Sequence, residues 1–313
     1  MTGLRERAVG ERVPPLAALA VAVVAVSTSA ILVRLSAAPN SVKALYRVVF
    51  TVSLLAPWAL GRYRSAFGAL SRRDLGLATV AGLALAVHFA SWFASVELTS
   101  IAASVTLVQS QPLFVAVGAW VLLEERLSRR MVAGIAVAVV GMVAMSFGDP
   151  LAAAVAGDAG LAASLLTGEA ALGNALAVVG AVAAAGYVLA GRSIRQRVAL
   201  VPYVVVVYAA CAVGLFGVVL AEGAALTGYP PREWLLFLSM AVGPGVFGHT
   251  VVNWALAHVE SSVVSVSLLG EPVGSTLLAL VVLSEVPTAT TAVGGAVVLA
   301  GIYLTASDRR ESA

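Results

Sequence analysis

Runs of about 20 predominantly apolar residues recur along the chain, each long enough to cross a ~30 Å hydrocarbon layer as an α-helix. They fall at 15–36, 41–61, 74–96, 99–123, 129–147, 170–190, 199–221, 233–257, 261–283 and 288–306, with most of the Arg, Asp and Glu residues between them. The pattern predicts ten membrane-spanning helices. The first run follows Arg5, Arg7 and Arg12, as the core of a secretory signal would. It is too long for such a core and further runs follow, so it reads as a retained helix.

Charge gives the spans a direction. Alternating threading gathers Arg5, Arg7 and Arg12 on one side with the arginines of 62–73, 126–130 and 192–197 and with Arg309 and Arg310. That side holds 15 of the 19 Lys and Arg residues. The opposite loops carry Asp149, Asp158, Glu169 and Glu222, with Arg232 as their one clear base. Cytoplasmic loops are enriched in Lys and Arg, so both termini are expected in the cytoplasm and the chain in the cell (plasma) membrane. The segment 148–168 contains no basic residue and reads as an external linker, with a short interfacial helix as the alternative for part of it.

Composition supports lipid as solvent. The chain has 313 residues, 60% hydrophobic and 11% charged, where soluble domains run to ~45–50% and ~25%. The single Cys211 excludes an intramolecular disulfide and no metal-ligand cluster accompanies it, so no cofactor is expected. A net charge of +3 is small and its placement follows the membrane, so no nucleic-acid partner is expected.

The chain also repeats itself. Displaced by 160 residues, Pro112 falls on Pro272, Glu125 on Glu285, Gly134 on Gly294 and Gly141 on Gly301. Coincident Ala and Val mean little in such a sequence, but coincident Pro, Glu and Gly at one offset indicate a repeat. Five spans per half force the second half to begin on the opposite side. The expected fold is an all-α polytopic membrane protein of ten transmembrane helices, arranged as two inverted five-helix repeats. The first repeat occupies 1–147, the linker 148–168 and the second repeat 169–313.

Two segments carry a family resemblance. HFASWFASVELTSIAASVTLVQSQPLFVAVGAWVLLEE (88–125) and GHTVVNWALAHVESSVVSVSLLGEPVGSTLLALVVLSE (248–285) each hold a small-residue helix, a mid-membrane Pro and an apolar run ending in Glu. With Lys43-Ala-Leu-Tyr-Arg47 and Gly191-Arg192, this resembles the EamA-type family of the drug/metabolite transporter superfamily. The resemblance implies a transporter of small metabolites, often outward. The first repeat departs from the second in having Gln111 where the second has Glu271.

Polar residues at membrane depth are the candidate chemistry, because burying them there is costly. Glu271 lies close to mid-membrane and must be protonated, paired with a cation or facing a wet cavity. It is the candidate for proton coupling, the alternative being a structural bond to Gln109 or Gln111. Pro112 and Pro272 cannot donate to the Val108 and Leu268 carbonyls. Each carbonyl then faces a neighbouring helix, water or substrate. A third break is expected at Gly243-Pro244-Gly245. His88 and Trp92 share one helix face, and His249 and Asn253 repeat the spacing one residue out of register. Each pair either walls a central cavity or packs within the core. Arg47 either binds an anionic substrate group or snorkels to the interface beside Lys43. Ser27, Ser29, Tyr46, Asn174 and Tyr187 are further polar candidates, and Trp254 could stack on a ring or cation. Glu125 and Glu285, at the membrane ends of their spans, read as interfacial anchors or gate elements. Gly134/Gly141 and Gly294/Gly301 form small-residue stripes suited to close packing, either within the chain or in a homodimer.

Gly243, Gly245 and Gly248 spell G-x-G-x-x-G, but inside an apolar span, so nucleotide binding is rejected. With no HExxH, GxSxG or mid-membrane acidic cluster, an enzyme is not expected. The leading expectation is a secondary transporter, exporter or exchanger, of amino acids or related polar or amphipathic solutes by alternating access. A passive channel or facilitator is the alternative.

Overall fold

A computed structural model describes residues 14–98, 104, 107–124, 127–155, 157, 168–284, 286 and 289–307. Proline sets the first helix ends. α1 (Pro15–Leu35) opens on a proline whose missing N–H falls where a helix start has no internal acceptor, and it closes at Ser36 in extended backbone. α2 (Asn40–Arg62) starts directly after Pro39. There follow α3 (Arg64–Gly68), α4 (Arg72–Leu98), α5 (Gln111–Leu123), α6 (Arg129–Val155), α7 (Gly168–Arg195) and α8 (Leu200–Glu222). The chain continues through α9 (Pro231–Met240), a π-helix (Ala241–Thr250), α10 (Val251–Ala255), α11 (Ser261–Leu268), α12 (Gly270–Leu283) and α13 (Ala289–Ser307). Among the described residues there is no strand.

Seven helical segments are long and apolar enough to cross a membrane, and Gln111–Leu123 and Ala292–Thr305 are shorter apolar helices. The exterior is correspondingly greasy: Val24, Trp58, Trp120 and Leu122 are each more than half exposed. Against water each such side chain would forfeit roughly 1.5–3 kcal/mol of burial, a penalty that lipid removes.

The predicted spans differ from the helices in three places. Span 233–257 is three consecutive segments, and 261–283 is two. α6 runs to Val155, past the predicted end at 147 and into the expected linker. Most of the remaining linker, and both Glu125 and Glu285, lie outside the described residues.

The two halves are related in backbone as well as sequence. Glu124 and Ser284 both take left-handed backbone, at φ 55° and 56°, one repeat length apart. A Cβ on Gly134 would lie 2.9 Å from Gly301 O, and one on Gly141 2.7 Å from Gly294 O. α6 and α13 therefore run antiparallel with their glycine stripes interlocked, in the most extensive helix contact of the molecule. The stripes are engaged with each other within the chain.

Packing interleaves the halves. α4 of the first half lies against α7 and α8 of the second, while the π-helix of the second lies against α1 and α2 of the first. α12 likewise packs on α1, and α5 on α7. Each wall around the centre is thus built from both halves.

Candidate functional site

The prolines produce full breaks. Before Pro112 the chain makes a tight turn in which Ser110 N donates to Leu107 O at 3.1 Å, and α5 begins anew at Gln111. Before Pro272 the matching turn closes with Leu269 N donating to Val266 O at 3.0 Å, and α12 begins at Gly270. A proline in the first turn costs nothing, since that turn's N–H groups have no internal acceptor. Each break therefore leaves a new helix start in mid-bundle, beside the Val108 and Leu268 carbonyls.

The expected break at Gly243-Pro244-Gly245 is instead the ten-residue π-helix. A Cβ on Gly245 would meet Thr51 Oγ1 at 2.3 Å, and one on Gly248 would meet Val26 Cγ1 at 2.6 Å, so the glycines let the wide helix seat on α2 and α1. Thr250 Oγ1 donates to Gly245 O at 3.1 Å, across one π turn. A π turn holds more residues than an α turn. That accounts for His249 falling one residue beyond the repeat position of His88 while still facing the centre.

At the meeting of the two breaks, the π-helix and α4 lies one cavity. About 60 Å³ of it is open to the centres of water molecules, several times the ~10–15 Å³ that one water needs. It brings together Arg47, His88, Trp92, Gln109, Gln111, His249 and Glu271 from the sequence candidates. Val108 and Leu268, each four residues before a proline, also line it.

Arg47 turns inward and is only 3% exposed, so it does not snorkel. Its Nη1 donates to Ser29 Oγ at 3.0 Å and its guanidinium lies 4.6 Å from the centre of the Phe89 ring. Glu271 Oε2 accepts from Gln109 Nε2 at 3.0 Å. The structural bond and the cavity position, set apart in the sequence as alternatives, thus coexist at Glu271. His88 Nδ1 lies 3.0 Å from Gly180 O, and the His88 ring stacks on Trp92 at 6.0 Å. Three buried lining atoms have no hydrogen-bond partner among the described residues: Trp92 Nε1, Gln111 Nε2 and His249 Nδ1. Such atoms are rare in folded proteins and each costs roughly 1–3 kcal/mol.

Three candidates stand apart from the cavity. Pro112 and Pro272 are buried and do not line it, acting through the breaks they cause. Asn253 is fully buried and donates to Tyr187 Oη and to His249 O, so it braces the π-helix against α7. Of the lesser candidates, Ser29 and Tyr187 line the cavity. Tyr46 joins an aromatic cluster with Trp234 and Phe237, and Trp254 packs on His258 at 4.2 Å. Lys43 donates to Asn40 Oδ1 at 3.1 Å. Phe89, which carries Arg47, was not singled out by the sequence because an apolar residue on a buried helix reads as core. Its place one residue from His88 was the only available signal.

The EamA-like transporter family model matches residues 14–147 and 171–307. No curated protein sequence matches the chain. A crystal structure described only as that of a protein is similar at 21% identity, with a TM-score of 0.76 over 96% of this chain and 99% of that one. This last likeness concerns the fold alone.

Proposed function

The chain belongs to the EamA-like transporter family, of the drug/metabolite transporter superfamily, and from that premise we propose that it is a secondary transporter of small polar or amphipathic metabolites, amino acids among them. The observation that carries the reading is the charged cavity enclosed where two broken helices meet. Transporters built from repeats place their substrate sites at such breaks, near mid-membrane. Arg47 and Glu271 supply opposite charges to one small space, an expensive arrangement in a bilayer unless a solute uses it.

Ten crossings, with both termini in the cytoplasm of a cell-membrane protein, complete the proposal. Cysteines introduced at Ser71 and Glu260 are then expected to react with impermeant thiol reagents from the cytoplasmic side, and one at Thr227 from outside. Labelling of Ser71→Cys and Thr227→Cys from the same side would remove this threading.

Alternating access here works between interleaved units and not between the sequence halves. α1, the π-helix and α12 pack as one group and α4, α5, α7 and α8 as the other, with α2 in contact with both. The cavity lies between them, so rocking one group on the other opens it to either side. Export or exchange is the direction proposed, with Glu271 as the coupling carboxylate.

Counterflow in liposomes reconstituted with the purified protein tests the function. A preloaded solute is expected to accelerate uptake of its own tracer, with saturation. Flux that neither saturates nor shows counterflow would identify a passive channel. No acceleration for any member of a broad metabolite panel would sink the transporter reading.

A further inference from the structure

The arginines of the proposed cytoplasmic side fall into two sets. Arg192 Nη1 donates to Leu256 O and Arg195 Nε to Asn253 O, each at 3.0 Å, so both are engaged inside the protein. Arg197 closes on Asp74 at 2.6 Å, and Ser71 Oγ donates to the same carboxylate at 2.7 Å. Arg62, Arg64, Arg72 and Arg73 differ. All four are exposed, and among the described residues their side chains form neither ion pair nor hydrogen bond. Asp74 is the one acidic residue of 62–74 and is already taken by Arg197, so the segment presents four uncompensated cations.

What flanks them sets their depth. Trp58 and Leu60, near the end of α2, are more than half exposed, and Leu75, near the start of α4, is almost half exposed. Apolar surface suited to lipid therefore runs up to the arginines on both helices. Trp58 packs edge-on against Tyr63 with ring centres 5.1 Å apart, and exposed aromatic rings of this kind settle at headgroup level. α3 is five residues long, which keeps the connection short. Arg72 and Arg73 also open α4, at the helix end whose dipole opposes a positive charge. Cations crowded there need anions, and at headgroup depth the anions at hand are lipid phosphates.

We infer that segment 62–73 is a docking surface for anionic phospholipid of the cytoplasmic leaflet, its arginines holding the phosphodiester oxygens in forked hydrogen bonds. The segment joins α2, which carries Arg47 and touches both packed groups, to α4, which carries His88 and Trp92. Bound lipid thus holds the connection between two helices that line the cavity. The inference rests on the threading proposed above and is independent of the solute.

Purified, lipid-stripped protein in micelles carrying brominated phosphatidylglycerol or brominated phosphatidylcholine tests it. Bromine quenches nearby tryptophan, and the part of the fluorescence that Trp58→Phe removes reports this surface. Phosphatidylglycerol is expected to quench that part at a mole fraction ~10- to 100-fold lower than phosphatidylcholine does. High salt is expected to erode the preference. Near an anionic surface each arginine is worth roughly fivefold in affinity. Arg62→Gln with Arg64→Gln, or Arg72→Gln with Arg73→Gln, is therefore expected to lower the preference about tenfold or more. Arg309→Gln with Arg310→Gln removes as much charge from the same side and is expected to leave it unchanged. Equal quenching of the unaltered protein by the two lipids overturns the inference, whatever the variants do. So does a preference that the 309/310 pair lowers equally, since net charge would then account for it. Ser71→Cys labelled from outside would overturn the threading and with it the leaflet, while quenching in micelles would still report the surface.

Discussion

Glu271→Gln is expected to bring uptake driven by a pH gradient down to the background of protein-free liposomes, while counterflow survives at saturating solute. The carboxylate lies in the first turn of α12, inside the cavity, bonded to Gln109 at 3.0 Å. Glutamine preserves the size and can keep a hydrogen bond to Gln109, so the break and the fold are retained. What is lost is the ability to take up a proton or to face a cation. One carboxylate serving both is sufficient for antiport, because proton and solute cation exclude each other from it. Exchange of solute for solute needs no proton and continues. Its KM rises by roughly tenfold or more, the worth of one charge-assisted bond. Proteoliposomes with an imposed pH gradient, assayed beside counterflow at several solute concentrations, read both quantities. Gradient-driven uptake equal to that of the unaltered protein would remove Glu271 from coupling. Loss of counterflow at every concentration would instead make it a binding residue alone.

Much of this site could be read from the sequence because the bilayer makes polar side chains conspicuous. Arg47, His88, Gln109, Gln111, His249 and Glu271 stood out as costly, and the fold draws them into one cavity. The repeat was legible for a similar reason. Pro, Glu and Gly are few enough in an Ala/Val-rich chain for their coincidence to carry weight. What stayed hidden depends on hydrogen-bond geometry that residue patterns do not encode. Gly243-Pro244-Gly245 reads as a break, yet the chain keeps its helical path by widening, held by Thr51 from α2 and by Thr250 within the π-helix. The stretch from 148 reads as linker, yet α6 continues to Val155. Asn253 reads as the partner of His249 in the cavity. Its amide donates to His249 O within the helix and to Tyr187, a long-range neighbour that no spacing rule could supply. The interleaving of the halves was equally invisible, since a sequence shows which helices resemble each other but not which ones touch.

Gly301→Val is expected to leave little folded protein. A Cβ at that position would stand 2.4 Å from Ala138 N, 2.7 Å from Ala138 Cβ and 2.7 Å from Gly134 O. Two of these atoms are backbone and cannot rotate away, so α13 and α6 must separate. The loss is not local, because Gly134 and Gly141 interlock with Gly301 and Gly294 along the same seam. Overpacking typically costs about 1–3 kcal/mol where side chains can yield, and more where they cannot. That is a large part of a typical folding free energy of ~5–15 kcal/mol. Gly141→Val is expected to behave alike, since its Cβ would meet Val298 N at 2.6 Å and Gly294 O at 2.7 Å. Gly186 provides the contrast, for nothing lies within 4 Å of a Cβ there. Gly186→Ala is expected to hold or raise the melting temperature, because alanine favours the helix by up to ~1 kcal/mol. Yield of monodisperse protein in detergent and its melting temperature compare the three. A Gly301→Val protein that melts like the unaltered one would mean that α6 and α13 do not meet along this seam. The antiparallel join of the two halves would then have to be sought elsewhere.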